Sequence, residues 1–577
     1  MKFEPKNKEE LMEIISKYDV VSFDIFDTLI MRKTLTPEDV FFIVQNKISN
    51  SIKGLDYVNN RRRAILENSI PNPNIYQIYD KFADLTGISA FQRQMLLELE
   101  IEVEKNTLIC RDKMVEVLKE TLNMGKKVYF ITDMYLPTNI IADILAELGI
   151  TDYNDIIVSC DYRTLKSEEL FKRFKEKYPA ASYLHIGDNL YSDIECAERN
   201  GLNCAVVESA ICLLRRSEYC CLEERAKSIT ERNILGNFIA KMFNNPFCRV
   251  EKEKLKLRDM VALFISPIVY LMITDLKYNV SEGNYEKVLF ASRDGYLIHK
   301  MYNLIKDDSM PEGIYFYTSR KAVTGLDLTD ENKILWLANL PYSYSKDEIL
   351  SKVFQVSGGK YKEGDDYNDY ILQYKDEITA KSKELKSNYE CYIASAGLGG
   401  GKYLFVDLVS SGTCQMYLEE LICGQIEGYY LCKLKTTEEK KEKLKYHSLF
   451  QGTENAKHKS GFYRIYYLFE AILTSFEPSL KCFDAMGQPV FENEYRTEEE
   501  LKLLGQIHED ILEYVKSMFY LCDEYEPKMA EFADSMIQIF LNQDIRMNEE
   551  LRLVLVDDWM NTEHLVTNVI RERGQNA

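Results

Sequence analysis

The sequence predicts an α/β protein: a Rossmann-like parallel sheet with a helical cap, followed by a second α/β domain and C-terminal helices. Three observations carry that prediction. Short apolar runs alternate with amphipathic helical stretches from the amino terminus to residue 211. Residues 33–112 form a long insert with helical patterning and no strand signal. A second strand–helix alternation then starts at residue 286.

Taken in order, the first strands are read at Val20–Phe23, Val128–Ile131, Ile156–Val158, Tyr183–Ile186 and Ala205–Val207. Each is a brief, nearly continuous apolar run, as expected of a strand covered on both faces. Helical stretches Asp112–Met124, Asn139–Leu148 and Leu170–Lys177 separate them. Inside the insert, amphipathic segments lie at Val40–Ile48, Tyr57–Glu67, Ile75–Leu85 and Ala90–Val103. Placed directly after a strand, such an insert should cover the carboxyl edge of the sheet, where α/β sites form. Residues 212–285 read as a helical connector. Residues 286–496 read as the second α/β domain, with strands at Lys287–Ala291, Ile314–Tyr317, Tyr403–Val406 and Glu427–Leu431. Residues 497–577 read as helical. The glycine cluster Gly397–Gly401 precedes a strand and reads as a turn.

Composition narrows the function. The 577 residues carry a net charge of −20, which argues against binding nucleic acid or an anionic membrane. The 14 cysteines include no CxxC pair, and the start, MKFEPKNKEELMEII, is charged and reads as a helix rather than a signal peptide. Reduced thiols and a cytoplasmic location are the expectation. The longest apolar run, Met260–Ile273, contains Pro267 and is too short to span a bilayer comfortably, so a buried helix is expected and no membrane span.

Four short motifs follow in order, each at a strand end or helix start. They are Phe23-Asp24-Ile25-Phe26-Asp27-Thr28-Leu29, Thr132-Asp133, Leu165-Lys166-Ser167, and Gly187-Asp188-Asn189 continuing to Asp193. An Asp at the end of a strand points into the crevice, where it can act as nucleophile or metal ligand. A Thr hydroxyl and a Lys ammonium bind phosphate oxygens. Carboxylates from separate strand ends suit Mg²⁺, a hard cation that prefers oxygen. Each motif alone is compatible with a turn, a cap or a surface charge; together they describe a phosphoryl-transfer site.

These motifs resemble those of the haloacid dehalogenase (HAD) superfamily over residues 1–211, with the insert matching its helical cap. More narrowly they resemble a branch of HAD hydrolases found in bacterial surface-polysaccharide gene clusters. The resemblance implies a phosphohydrolase or phosphotransferase acting on a small phosphorylated metabolite, such as a sugar phosphate, with glycosyltransferase or polysaccharide-pathway partners. It implies that Asp24 forms an aspartyl-phosphate. It further implies Mg²⁺ held by Asp24, the Phe26 carbonyl and Asp188, with Asp193 in support, and a phosphoryl group gripped by Thr132 and Lys166. HAD phosphatases carry an Asp as general acid two places after the nucleophile; here Phe26 stands there and Asp27 follows. Three readings stay open. Asp27 or a cap residue takes the role, the enzyme is slow or prefers good leaving groups, or the reaction is dehalogenation. General acid–base help is worth about 10²–10⁴ in rate.

The second domain offers two loops. One is Ser292-Arg293-Asp294-Gly295 after a strand; the other runs from Asp407 through Ser410-Ser411-Gly412-Thr413 into a helix. Arg293 can pair with phosphate, Asp294 and Asp407 can take hydroxyls or a metal, and Ser411, Gly412 and Thr413 can cradle an anion at a helix start. An N-capped helix is the alternative reading. This half resembles type I phosphoribosyltransferases in outline, which implies glycosyl or phosphoribosyl transfer. A non-catalytic scaffold is the remaining alternative for the chain.

Overall fold

The computed structural model describes residues 1–542 apart from 50, 249–255, 343, 435, 437–438, 453–461, 463–465, 495 and 523–528. The chain forms two compact units, Met1–Glu253 with Tyr520–Glu526, and Lys254–Phe519 with Pro527–Ala577.

In the first unit, strands β1 (Lys2–Phe3), β2 (Val20–Phe23), β3 (Ile30–Arg32), β4 (Leu108–Cys110), β5 (Lys127–Thr132), β6 (Asp155–Val158), β7 (Tyr183–Gly187) and β8 (Asn203–Val206) appear in chain order. Six of them make one parallel sheet in the order β1-β8-β7-β2-β5-β6. All four residues of β2 are buried, so the sheet's central strand is apolar or small throughout. The chain leaves β2 for β5 on one side and later returns to β7 on the other. The carboxyl end of β2 is therefore the point where the winding reverses, and a crevice opens there.

Two expectations are corrected. The start is not wholly helical: Lys2–Phe3 pairs with β8 before the helix Lys8–Ser16, and a two-residue strand leaves no periodicity to read. The insert is not free of strands either. Near its end β4 pairs antiparallel with β3, which lies just before it, Met31 opposite Ile109, closing the stalk of the cap.

The cap itself is four helices, Asp39–Ile48, Tyr57–Leu66, Ile75–Thr86 and Ala90–Thr107. Asn74 with Gln77 and Ser89 with Gln92 form reciprocal capping boxes at two helix starts, and Gly87 ends one helix in the left-handed region. A polar knot fixes the bundle. The Arg61 guanidinium donates to both Glu100 oxygens at 2.7 Å, and the Tyr57 and Tyr79 hydroxyls donate to Glu100 at 2.6 and 2.9 Å. Arg61 is fully buried and Glu100 nearly so. A buried pair of this kind holds only while every partner is present.

The second unit has a five-stranded parallel sheet, order β10-β9-β11-β12-β13. Its strands are β9 (Lys287–Ala291), β10 (Glu312–Phe316), β11 (Lys402–Ser410), β12 (Gln425–Leu434) and β13 (Tyr446–Gly452). The β13 sequence, YHSLFQG, mixes polar and apolar residues at a sheet edge and gave no apolar run to read. A short antiparallel pair, β14 (Leu480–Phe483) and β15 (Pro489–Phe491), follows. Between β10 and β11 lies a helical insert with its own small core, including Ile334, Leu337, Leu350, Phe354, Ile371 and Ile378. The stretch read as one connector divides: Ile229–Met242 lies in the first unit and the helical run Leu257–Gly283 in the second. That run is long and apolar enough to cross a membrane by length and composition, yet 89% of its apolar window is buried. All 14 cysteines are free thiols. The C-terminal helices Glu498–Leu521 and Met529–Asn542 follow, and the rest of that reading, 543–577, lies outside the described residues.

Candidate active site

Asp24 follows β2 directly, and its backbone N–H donates to the Ile186 carbonyl of β7 at 2.8 Å. That bond locks the residue at the strand end. Thr132 closes β5 and is buried. Lys166 sits in the turn after β6, where its backbone N–H donates to Asp133 at 3.0 Å. Gly187 closes β7, and Asp188 and Asn189 follow it. The Asn189 side chain accepts from the N–H groups of Tyr191 and Ser192, starting the wide π-type turn Leu190–Glu195 that carries Asp193. Gly187 has no room for a side chain: a Cβ there would fall 2.5 Å from the Asp193 carboxyl carbon.

The four motifs converge. Lys166 Nζ donates to Asp24 Oδ1 at 2.5 Å and to Asp193 Oδ1 at 2.6 Å, all three side chains being buried. Asp24, half-buried Asp188 and Asp193 each place a carboxylate oxygen within 4.8 Å of the others. Thr28 Oγ1 donates to Asp188 at 3.3 Å, and Asn189 N–H donates to Asp193 at 3.0 Å. His185 is fully buried within β7, and its ring reaches Ser22 Oγ at 2.9 Å and Asp193 Oδ1 at 3.4 Å.

Electrostatics follow from this crowding. Burial pushes the Asp24 carboxyl up to about 7 although Lys166 opposes it. Burial and the charges of Asp27, Asp24 and Asp193 push Asp188 well above the usual carboxylate range. Asp193 is lowered: burial works against it, but the Lys166 ammonium and the His185 ring outweigh burial. One ammonium thus faces three convergent carboxylates, and the site is short of positive charge. Hard oxygen donors at this spacing, with excess negative charge, fit a divalent cation such as Mg²⁺.

The Phe26 ring lies under the Arg32 guanidinium at 4.6 Å, and its backbone bridges to Ile30. Asp27 adopts φ of 60°, a left-handed conformation that Asp tolerates better than most residues. Its carbonyl accepts from buried Arg111 at 2.5 Å. Burial raises the Asp27 carboxyl, while Arg32 and Arg111 oppose the rise. Phe26, Asp27, Thr132 and the acidic trio line one cavity of about 580 Å³. The cap adds Pro37, Glu38, Phe41, Ile65, Asn72 and Ile78 to its wall. The motifs alone did not single out Arg32, Arg111 or Glu104, which pairs with Arg32. Their signal was only an unexplained charge at each end of the cap insert.

The expected second-site residues lie at the carboxyl edge of the other sheet, in the second unit. Arg293 and Asp294 follow β9, Asp407 is in β11, and Ser411, Gly412 and Thr413 join β11 to the helix Thr413–Ile422.

The first unit is thus a capped, doubly wound α/β domain whose switch point holds a carboxylate–ammonium cluster suited to a divalent cation. No protein-family model matches the chain, and no curated protein matches it. Among solved structures it is similar to the HAD-hydrolase YfnB from Bacillus subtilis bound to magnesium, at 18% identity over 33% of this chain and 88% of that one, TM-score 0.24. It is similar to the L-2-haloacid dehalogenase from Xanthobacter autotrophicus, at 16% identity over 37% and 84%, TM-score 0.26. It is also similar to a HAD phosphatase from Thermococcus onnurineus, at 19% identity over 33% and 86%, TM-score 0.24.

Proposed function

We propose that the first unit is a HAD-type, Mg²⁺-dependent phosphohydrolase or phosphotransferase that works through an aspartyl-phosphate on Asp24. The observation that carries this reading is the Lys166 ammonium bridging Asp24 and Asp193 beside Asp188. Asp24, Asp188 and the Phe26 carbonyl would hold the ion, with Asp193 in support. Bound there, it would offset the repulsion between an anionic nucleophile and an anionic phosphate.

The residues then act as follows. An Asp24 oxygen attacks phosphorus, the new O–P bond forming as the ester O–P bond breaks. Lys166 and Thr132 hold the equatorial phosphoryl oxygens and stabilise the charge that spreads over them. Water cleaves the acyl phosphate, releasing inorganic phosphate and restoring Asp24; an acceptor alcohol in its place gives transfer. The acidic pair Asp188 and Asp193 favours phosphate over a halide as the departing chemistry, because a dehalogenase needs no cation site.

The substrate is a small phosphorylated metabolite. The cap wall mixes apolar Phe41, Ile65 and Ile78 with polar Glu38 and Asn72, and the cavity of about 580 Å³ admits a compact organic group such as a sugar. Hydrolysis of p-nitrophenyl phosphate and a sugar-phosphate panel, with and without Mg²⁺, tests the reading. Activity should require the ion and vanish in Asp24→Asn. Undiminished turnover by that variant refutes the assignment.

A further inference from the structure

The cap joins the sheet of the first unit at two crossings, residues 33–38 on the way out and residues 108–112 on the return. A cap attached in this way swings only if the few residues at its crossings change their backbone angles. In this chain one later segment holds both crossings.

That segment is the helix Ile229–Met242 and the turn after it. Ser228 and Glu231 form a reciprocal capping box, so local sequence sets the helix start. Gly236 lies against the backbone of the outward crossing, where a Cβ would fall 2.5 Å from Thr34 Cα. Glycine is what lets helix and crossing approach so closely. One turn earlier, the Arg232 guanidinium donates to Thr36 Oγ1 at 2.8 Å and pairs with fully buried Asp39 at 2.6 Å. Asp39 also accepts from the Thr36 N–H at 2.7 Å, which closes the outward crossing onto the helix.

Past the helix end, Asn244 holds the return crossing with both ends of its amide. Its Oδ1 accepts from the Asp112 N–H at 2.8 Å, and its Nδ2 donates to the Cys110 carbonyl at 2.8 Å. An asparagine amide carries the acceptor and the donor that a peptide backbone needs. The Asn244 carbonyl accepts from Arg111 Nε at 3.1 Å. Arg111, fully buried, carries the contact inward. Its Nη1 donates to the Asp27 carbonyl at 2.5 Å, and its backbone N–H to the Leu29 carbonyl at 2.8 Å. Asp27 keeps its left-handed φ of 60° with its side chain on the cavity wall. A residue stays in that region when its surroundings fix it, and Arg111 is such a fixture.

We propose that residues 229–244 form a clamp, which holds both crossings of the cap in one register and, through Arg111, positions the Asp27 loop. Asn244 and Arg111 are positioning residues, since neither lines the cavity. The clamp stands on these contacts alone; its effect on turnover rests on the phosphohydrolase reading.

Hydrogen exchange on the full chain tests the clamp without reference to turnover. Asn244→Ala should speed exchange over residues 25–30, which lie beyond Arg111, at least about tenfold, the value of two lost hydrogen bonds. Arg111→Lys, which replaces a planar fork by one nitrogen, should do the same, and the two changes together should add little. Asn244→Asp keeps the acceptor for Asp112 and should fall between parent and Asn244→Ala, so the test survives if the alanine variant does not fold. Arg232→Leu should speed exchange over residues 33–39 by a similar factor. Unchanged exchange over residues 25–30 in the Asn244 variants, or full additivity of Asn244→Ala with Arg111→Lys, overturns the route to Asp27. Unchanged exchange over residues 33–39 in Arg232→Leu overturns the hold on the outward crossing. With p-nitrophenyl phosphate and Mg²⁺, Asn244→Ala should lower kcat at least about tenfold, a larger factor than any change in KM, because the displaced loop starts at Asp24. An unchanged kcat overturns the positioning role. A parent that leaves phosphate esters intact refutes the Asp24 reading, and the exchange results still decide the clamp.

Discussion

Gly187 and Asp193 occupy space that only a hydrogen side chain at 187 can share, since a Cβ there would meet the Asp193 carboxyl at 2.5 Å. The carboxylate is backbone-anchored by Asn189 and bonded to Lys166, so it cannot swing aside without releasing the ammonium from its place beside Asp24. Gly187→Ala should therefore fold, with a circular dichroism spectrum like that of the parent, yet lose activity. Misplacing a catalytic group by an ångström costs about 10²-fold. A kcat/KM equal to the parent's would show that Asp193 does not position Lys166.

The cap depends on its polar knot. Glu100→Gln leaves Arg61 buried without a counter-charge and weakens the bonds from Tyr57 and Tyr79. Breaking one side of such a pair costs about 3–5 kcal/mol. Urea unfolding should show that loss, and the double variant Arg61→Met, Glu100→Leu should recover part of it. A loss within experimental error for Glu100→Gln would mean that water reaches the knot.

Buried His508 makes the second unit acid-sensitive. Its Nε2 donates to the Ile472 carbonyl at 2.8 Å, among the described residues its Nδ1 has no hydrogen-bond partner, and burial pushes its pKa down to about 4. The unfolded chain takes up the proton near pH 6.5, while the folded chain resists until about 4. The stabilising contribution is thus full above pH 6.5 and falls progressively as pH drops toward 4, by about 3 kcal/mol in total. Measured at several pH values, the parent's unfolding free energy should fall relative to that of His508→Phe as pH drops through this window. A difference that stays constant with pH would refute the neutral, buried histidine.

The sequence carried the central strands and the four cap helices because both have a strong period: β2 is a run of buried residues, and Ile75–Thr86 presents Ile75, Ile78, Tyr79 and Phe82 to one side. It also carried Asp24, Lys166, Asp188 and Asp193, whose order along the chain matches the order of strand ends. It did not carry β1 or β3, which are too short for a pattern, nor β13, whose partner β12 rather than its own composition makes it a strand. Arg32 and Arg111 were equally invisible, because what a cation meets is set by what surrounds it in space.

In the proposed reaction, Phe26 fixes how the leaving group must behave. It cannot donate a proton, and its ring is covered by Arg32, which is itself paired with Glu104. The nearest acid by sequence is Asp27, whose main chain is held by the Ile30 carbonyl and by Arg111 and whose side chain lines the same cavity. If Asp27 supplies the proton, Asp27→Asn should slow hydrolysis of alkyl phosphates by about 10²–10⁴ while leaving p-nitrophenyl phosphate nearly untouched, since a nitrophenolate departs without help. If no acid acts, the parent itself should show a steep dependence of kcat on leaving-group pKa, and Asp27→Asn should shift both substrates equally. A series of aryl and alkyl phosphates, run on both proteins at one pH and saturating Mg²⁺, separates these outcomes. Equal slowing of both substrate classes would remove Asp27 from the role of acid and leave it a structural partner of Arg111.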